Sequence, residues 1–267
     1  MTLLNQVQRG RSQTPRRVLL YGVHGVGKST FGAMAEKPIF IQTEEGINDI
    51  DVDRFPLATK YSDVVDALSA LYSEEHEYET VVIDSLDWLE RMIFADVCAK
   101  RGVESIEDIG YAKGYVFALA QWSEILAGLD ALRNERGMQV IVIAHAAIEK
   151  FANPETDSYD RYAPRLQKQA SALVQEWADE VLFAAYKVHT KTSNEGFDRK
   201  RTQGIGTGER IVRTTERPAH VAKNRLNLPD EFPLDYRIYA AFVRGENPLA
   251  TTEHETETTN TATEQGA

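Results

Sequence analysis

Cysteine is almost missing from this chain. Of 267 residues only Cys98 is one, which rules out an internal disulfide and any cysteine-based zinc site. Long apolar runs are absent too. No stretch approaches the roughly 18–20 residues that span a bilayer, so no membrane partner is expected. Residues 1–15 are polar and lack the apolar centre of a signal peptide, which makes them a flexible lead-in and points to the cytoplasm. Lys and Arg are missing from residues 246–267, which hold five Glu and few large apolar groups. That composition reads as a disordered acidic tail.

What is present suits one folded unit over residues 16–245. The net charge is −11, but the tail takes five of those charges and leaves −6 on the rest. Between Lys187 and Arg225 the balance reverses, with ten basic residues facing four acidic ones. Such a stretch is either an electrostatic footprint for phosphates or a solvated hairpin.

Apolar runs alternate with helical patterns, the signature of an α/β fold with a mostly parallel central sheet flanked by helices. Arg17-Val18-Leu19-Leu20-Tyr21 predicts a buried first strand, followed by a helix over 28–36 and a second strand at 38–42. Ser62 is placed to cap a helix over 63–74. Thr80-Val81-Val82-Ile83 is a third strand, and a long helix should start at Ser85. Gln139 to Ala144 is the most apolar strand and belongs in the centre. A polar loop is expected over 149–164, a helix over 166–177, and hairpin-rich β structure after that, with Gly204-Ile205-Gly206-Thr207-Gly208 as a mobile tip.

Between the first strand and the first helix stands Gly22-Val23-His24-Gly25-Val26-Gly27-Lys28-Ser29, the G-x-x-x-x-G-K-S pattern, with Thr30 just beyond. Its glycines let the backbone wrap a polyphosphate with N–H groups pointing inward. Lys28 would neutralise the β- and γ-phosphates of ATP, and the Ser29 hydroxyl would ligate Mg²⁺. Asp84 closes the third strand about 55 residues beyond Lys28 and supplies the second metal-facing group, or caps the next helix, or both.

Further pieces, in order, resemble the RecA-like recombinase core. Val81-Val82-Ile83-Asp84-Ser85 is similar to that family's acidic strand with its trailing Asp-Ser. Phe40-Ile41-Gln42-Thr43-Glu44 resembles the strand whose glutamate activates the attacking water. The resemblance therefore implies Glu44 as general base, with Glu45 the alternative one register on. Val142-Ile143-Ala144-His145 looks like the strand whose last polar residue senses the γ-phosphate, although the family archetype has glutamine there. Val221-Ala222-Lys223-Asn224-Arg225-Leu226 resembles the segment that delivers basic side chains to a neighbour's ATP. Lys223 and Arg225 would then act in trans, which implies a ring or filament.

The resemblance covers about 16–243 and extends to phage-encoded AAA-type ATP-binding proteins, including Sak-type single-strand annealing recombinases. It implies a DNA-dependent ATPase that binds single-stranded DNA and promotes annealing or strand exchange, with a single-strand-binding protein as a further partner. Two segments would face the DNA: residues 102–113, and 146–168 with Lys150, Phe151, Tyr159, Arg161, Tyr162, Arg165 and Lys168. Two other readings stay open. One is a helicase- or loader-type motor on the same fold. The other is a P-loop small-molecule kinase or regulatory switch that touches no nucleic acid.

Overall fold

A computed structural model describes residues 3–7, 9–10, 14–195 and 199–250, with residues 3, 6, 189–195 and 199–207 described by backbone alone. In chain order the elements are β1 (Arg17–Gly22), α1 (Lys28–Ala33), β2 (Pro38–Gln42), β3 (Asp53–Arg54), α2 (Tyr61–Ser73), β4 (Thr80–Asp84), α3 (Leu86–Arg101), α4 (Lys113–Glu135), β5 (Gln139–Phe151), β6 (Tyr159–Pro164), α5 (Lys168–Trp177), β7 (Glu180–Glu195), β8 (Arg199–Arg213), β9 (Lys223–Asn224), β10 (Glu231–Pro233) and α6 (Tyr236–Val243). The strand order β10-β8-β7-β1-β5-β4-β2-β3 puts β1 and β5 at the centre. From β7 through β3 every pairing is parallel, and β8 and β10 extend the sheet antiparallel. This is the expected α/β class, with the most apolar strand in the middle.

Both faces of the sheet are covered, so its strands are apolar on both sides. On β1, Leu19 and Tyr21 pack with α2 to α5, while Val18 and Leu20 pack with Phe31 of α1 and Tyr236 and Tyr239 of α6. Among the described residues no helix is long and apolar enough to cross a membrane.

Several expected boundaries move. Helix α1 stops at Ala33. Ser62 lies inside α2, and the cap comes from Asp63, whose carboxylate accepts from the Thr59 and Lys60 backbone N–H groups. The supposed loop at 149–164 is largely an antiparallel hairpin: β5 runs on to Phe151 and pairs with β6 from Ala146↔Pro164 to Phe151↔Tyr159. Its charges are cross-strand partners, with Arg161 opposite Glu149 and bonded to it. The glycines at 204–208 belong to β8, where Gly206 pairs with Val188 and Gly204 with Thr190, so the strand continues through the supposed tip. Residues 196–198, between β7 and β8, lie outside the described residues. Most of the acidic tail, 251–267, lies outside them as well. Of the lead-in, residues 3–6 form a short 3-10 turn, and Arg133 holds the Pro15 carbonyl.

Glu90 on α3 is buried and accepts the Gln167 backbone N–H at 2.9 and 3.0 Å, which ties α3 to the start of α5. Burial pushes its pKa up to about 7 against those bonds, and nearby Asp87 adds to the rise. A carboxyl whose folded pKa is raised costs stability as pH climbs from its unfolded value to its folded one. Glu90→Gln is therefore expected to match the wild type near pH 4.5 and to exceed it by up to about 3 kcal/mol above pH 7. Urea melts at the two pH values check this.

Candidate nucleotide site

Strand β1 delivers the glycine-rich loop to the carboxyl end of the sheet. Gly22 is needed for packing rather than for phosphate wrapping, because a Cβ there would sit 2.2 Å from the Ala184 carbonyl oxygen on β7. Gly27, at φ 107°, makes the left-handed turn into α1. Lys28 is buried and folds back across the loop, its Nζ donating to the carbonyls of Gly22 (3.2 Å) and Val23 (3.0 Å). Burial lowers its pKa, while Asp84, Asp87 and Glu44 pull the other way.

The acidic strand β4 is not a neighbour of β1; β5 lies between them. Registers Gly22↔His145 and Ile143↔Asp84 bring the ends of β1 and β4 beside the middle of β5, within two residues of one level. Ser29 reaches across, and its hydroxyl donates to Asp84 Oδ2 at 2.5 Å. Burial raises the Asp84 pKa, with the Ser29 bond opposing and Glu44 adding to the rise. A hydroxyl and a buried carboxylate in contact, next to room for phosphate oxygens, fit the hard-oxygen demands of Mg²⁺.

Glu44 follows β2, is half-buried, and accepts a hydrogen bond from the Ser85 hydroxyl. Its Oε1 stands 3.7 Å from His145 Nδ1, while Glu45 is exposed. His145 stacks on His24 of the loop, ring centroids 4.0 Å apart. That neighbour, followed by burial, lowers the His24 pKa. Behind His145 sits Asp87 of α3, which accepts from the His145 backbone N–H at 3.0 Å and faces its Nδ1 at 3.1 Å. The Arg165 guanidinium, just past β6, donates to the other Asp87 oxygen. Burial alone would raise the Asp87 pKa; the bonds from His145 and Arg165 outweigh it and hold the carboxyl well below the usual range.

A cavity of about 390 Å³ joins His24, Gly25, Gly27, Lys28, Ser29 and Thr30 to Glu44, Glu45, Asp84 and His145. Val23 is half-buried and Val26 fully buried beneath the loop. Three lining residues are not among the site residues expected from the sequence: Gly46, Ile50 and Arg210. Asp87 was missed too. An acidic residue three positions beyond Asp84 was the available signal, but its partners are remote in sequence.

Lys223 and Arg225 are not brought to this loop. Strand β9 pairs with β7 at Glu180 and Val181, at the opposite end of β1. Lys223 Nζ caps the end of α5, donating to the carbonyls of Gln175, Glu176 and Ala178 at 3.0, 2.8 and 2.6 Å. Arg225 pairs with Asp179 at 3.2 Å and stays half exposed.

Residues 14–226 match the protein family described as AAA domain. An uncharacterized SPbeta prophage-derived protein, YorG, of Bacillus subtilis (strain 168) is 25% identical over 223 residues, which is 80% of this chain and 61% of that protein. The chain thus spans about three fifths of the length of the curated relative it matches. The crystal structure of the RadB recombinase aligns with a TM-score of 0.45 at 13% identity, over 84% of this chain and 90% of that one.

Removing the Asp87 carboxylate strands a guanidinium and a buried backbone N–H. Asp87→Ala is expected to cost about 3 kcal/mol in chemical denaturation, and Asp87→Asn less. A melt unchanged by Asp87→Ala would show that this carboxylate holds nothing together.

Proposed function

The chain belongs to the AAA domain family, and from that premise we propose that it is a RecA-like, ATP-hydrolysing phage recombinase that binds single-stranded DNA and promotes annealing or strand exchange. The observation that carries the reading is the unbroken run of contacts Glu44–His145–Asp87–Arg165. It starts at the nucleotide cavity and ends at the base of the β5–β6 hairpin. On that hairpin Lys150 is exposed, the Arg161 guanidinium lies 4.0 Å from the Phe151 ring, and Phe151 meets Tyr159 at 5.5 Å. Cations interleaved with rings suit a single strand, whose bases stack while its phosphates pair.

In this reading Lys28 and the loop N–H groups hold the triphosphate, and Ser29 and Asp84 hold Mg²⁺. The metal, when bound, offsets charge on the β- and γ-phosphate oxygens. Glu44 takes the proton of a water whose oxygen attacks the γ-phosphorus, and the bond to the β–γ bridging oxygen breaks, releasing ADP. The Ser85 hydroxyl keeps the Glu44 carboxylate turned to that task. Lys223 and Arg225 serve a neighbour's site in a head-to-tail ring or filament; their distance from their own loop supports this, and half-exposed Arg225 is the freer of the two. The prophage-derived relative supports a phage setting, hence a bacterial host's cytoplasm, where a single-strand-binding protein is the natural partner. A helicase- or loader-type motor would share every nucleotide-site residue.

One observation favours the small-molecule kinase reading. A cavity of about 580 Å³ lined by Leu57, Trp88, Arg91 and Met92 opens beside Glu44 and offers room for an acceptor.

Steady-state ATP hydrolysis with Mg²⁺, with and without single-stranded DNA, separates the two. Several-fold stimulation that fades with added salt is expected; no stimulation at any protein concentration would overturn the DNA reading. Lys28→Ala should abolish turnover. The double variant Lys223→Ala/Arg225→Ala should bind ATP normally yet turn over at least about a hundredfold more slowly. Wild-type turnover from that pair would remove the trans role.

A further inference from the structure

Tyr186 on β7 and Arg210 on β8 form one cross-strand pair, next to a register shift between Tyr186 and Val188. Both side chains turn onto the glycine-rich loop. The Tyr186 hydroxyl donates to the Gly25 carbonyl at 3.1 Å. The Arg210 guanidinium lies against Gly27, where a Cβ would sit 3.1 Å from its Nη1, so the missing side chain makes room for it. Leu234 flanks the same glycine, and its N–H donates to the Arg210 carbonyl at 3.0 Å, fixing the backbone from which the side chain reaches.

Charge balance and position together mark Arg210 out. Nearby Lys187 pairs with Glu209 and Glu231, Arg217 with Asp230, and Arg225 with Asp179. Among the described residues no carboxylate pairs with Arg210, although it lines the cavity that holds Lys28, Ser29 and Asp84. A guanidinium is a planar fork of donors that matches two phosphate oxygens at once. Its position also selects which phosphates. Strands β7 and β8 lie on one side of β1, whereas β5, β4 and β2, which carry His145, Asp84 and Glu44, lie on the other. The hydrolytic groups therefore face one end of a bound triphosphate and Arg210 faces the other.

The geometry points to Arg210 as a nucleotide-binding residue supplied in cis, gripping the α- and β-phosphates of a nucleoside di- or triphosphate while Tyr186 braces the loop. This rests on the ATP reading above and extends it: the long basic hairpin β7–β8 is a working wall of the nucleotide site.

The test is the affinity of the full chain for Mg-ATP and Mg-ADP by calorimetry, for wild type, Arg210→Ala, Arg210→Lys and Lys28→Ala, with thermal melts of each. Arg210→Ala is expected to weaken ATP and ADP alike by about tenfold or more, the worth of a charged hydrogen-bonding partner. Arg210→Lys should fall between, and the loss should appear as a raised KM for ATP that parallels the weakened ADP binding. Unchanged affinities in a folded Arg210→Ala variant overturn the inference while leaving the ATP reading intact. So does a loss confined to ATP with collapsed turnover, since that marks a γ-phosphate contact. A wild-type chain that binds neither nucleotide overturns the ATP reading and this inference with it.

Discussion

Everything at the site depends on the in-register parallel pairing of β1, β5 and β4. Because Gly22 lies opposite His145 and Ile143 opposite Asp84, the ends of β1 and β4 fall within two residues of one level, beside the middle of β5. A slip of one residue would turn every side chain to the other face of the sheet and take His145 away from the loop. Burial on both faces guards against that slip. Leu19 and Tyr21 would have to exchange places with Val18 and Leu20, and each pair is fitted to a different layer of helices. Packing density leaves little tolerance for such exchanges. The hydrophobic core thus sets the positions of the polar atoms at the site.

That register gathers like charges, and the site manages them by geometry. Asp84, Glu44 and Asp87 share one neighbourhood, and burial works against the ionised form of both Asp84 and Asp87. The two diverge because their hydrogen bonds differ. Asp87 receives the His145 N–H and the Arg165 guanidinium, whereas Asp84 receives a neutral hydroxyl. Asp87 is therefore held as a committed anion, a structural post for His145. Asp84 keeps an unmet demand for positive charge, which is the property a cation ligand requires. Two carboxylates three residues apart in sequence take different roles through what surrounds them.

Local patterns in the sequence are enough for β1, β2, β4 and the apolar half of β5, for the loop and for the place of Asp84, because those signals are local: β-branched runs, a glycine string and a strand end. The β5–β6 hairpin was read as a loop because Glu149, Lys150, Asp160 and Arg161 look like solvated residues when taken in order. Their pairing is visible only once Glu149 lies opposite Arg161. The glycines at 204–208 misled in the same way, since glycine frequency signals a turn only where no partner strand lies alongside. Asp87 and Arg165 belong to the site through contacts remote in sequence, 58 positions between Asp87 and His145 and 78 between Asp87 and Arg165, and Arg210 meets Gly27 from farther still. No window along the chain contains them. Such residues become legible only after strand order is known, which is why motif reading finds the loop that holds a phosphate before the residues that respond to it.

The run from Glu44 to Arg165 has a thermodynamic consequence that does not depend on how motion travels along it. If a strand of DNA on the β5–β6 hairpin binds one arrangement of Arg165 and Asp87 better than another, and ATP in the cavity favours the same arrangement through His145, each ligand must raise the affinity of the other by one common factor. In the proposed ATPase, hydrolysis would remove the γ-phosphate assigned to His145, and with it that shared preference. The grip on α- and β-phosphates argued for Arg210 is common to ATP and ADP, so it adds affinity without adding to the switch. On these proposals the site would divide its work between opposite sides of β1: Arg210 on β8 would retain the nucleotide, and His145 on β5 would distinguish its two states.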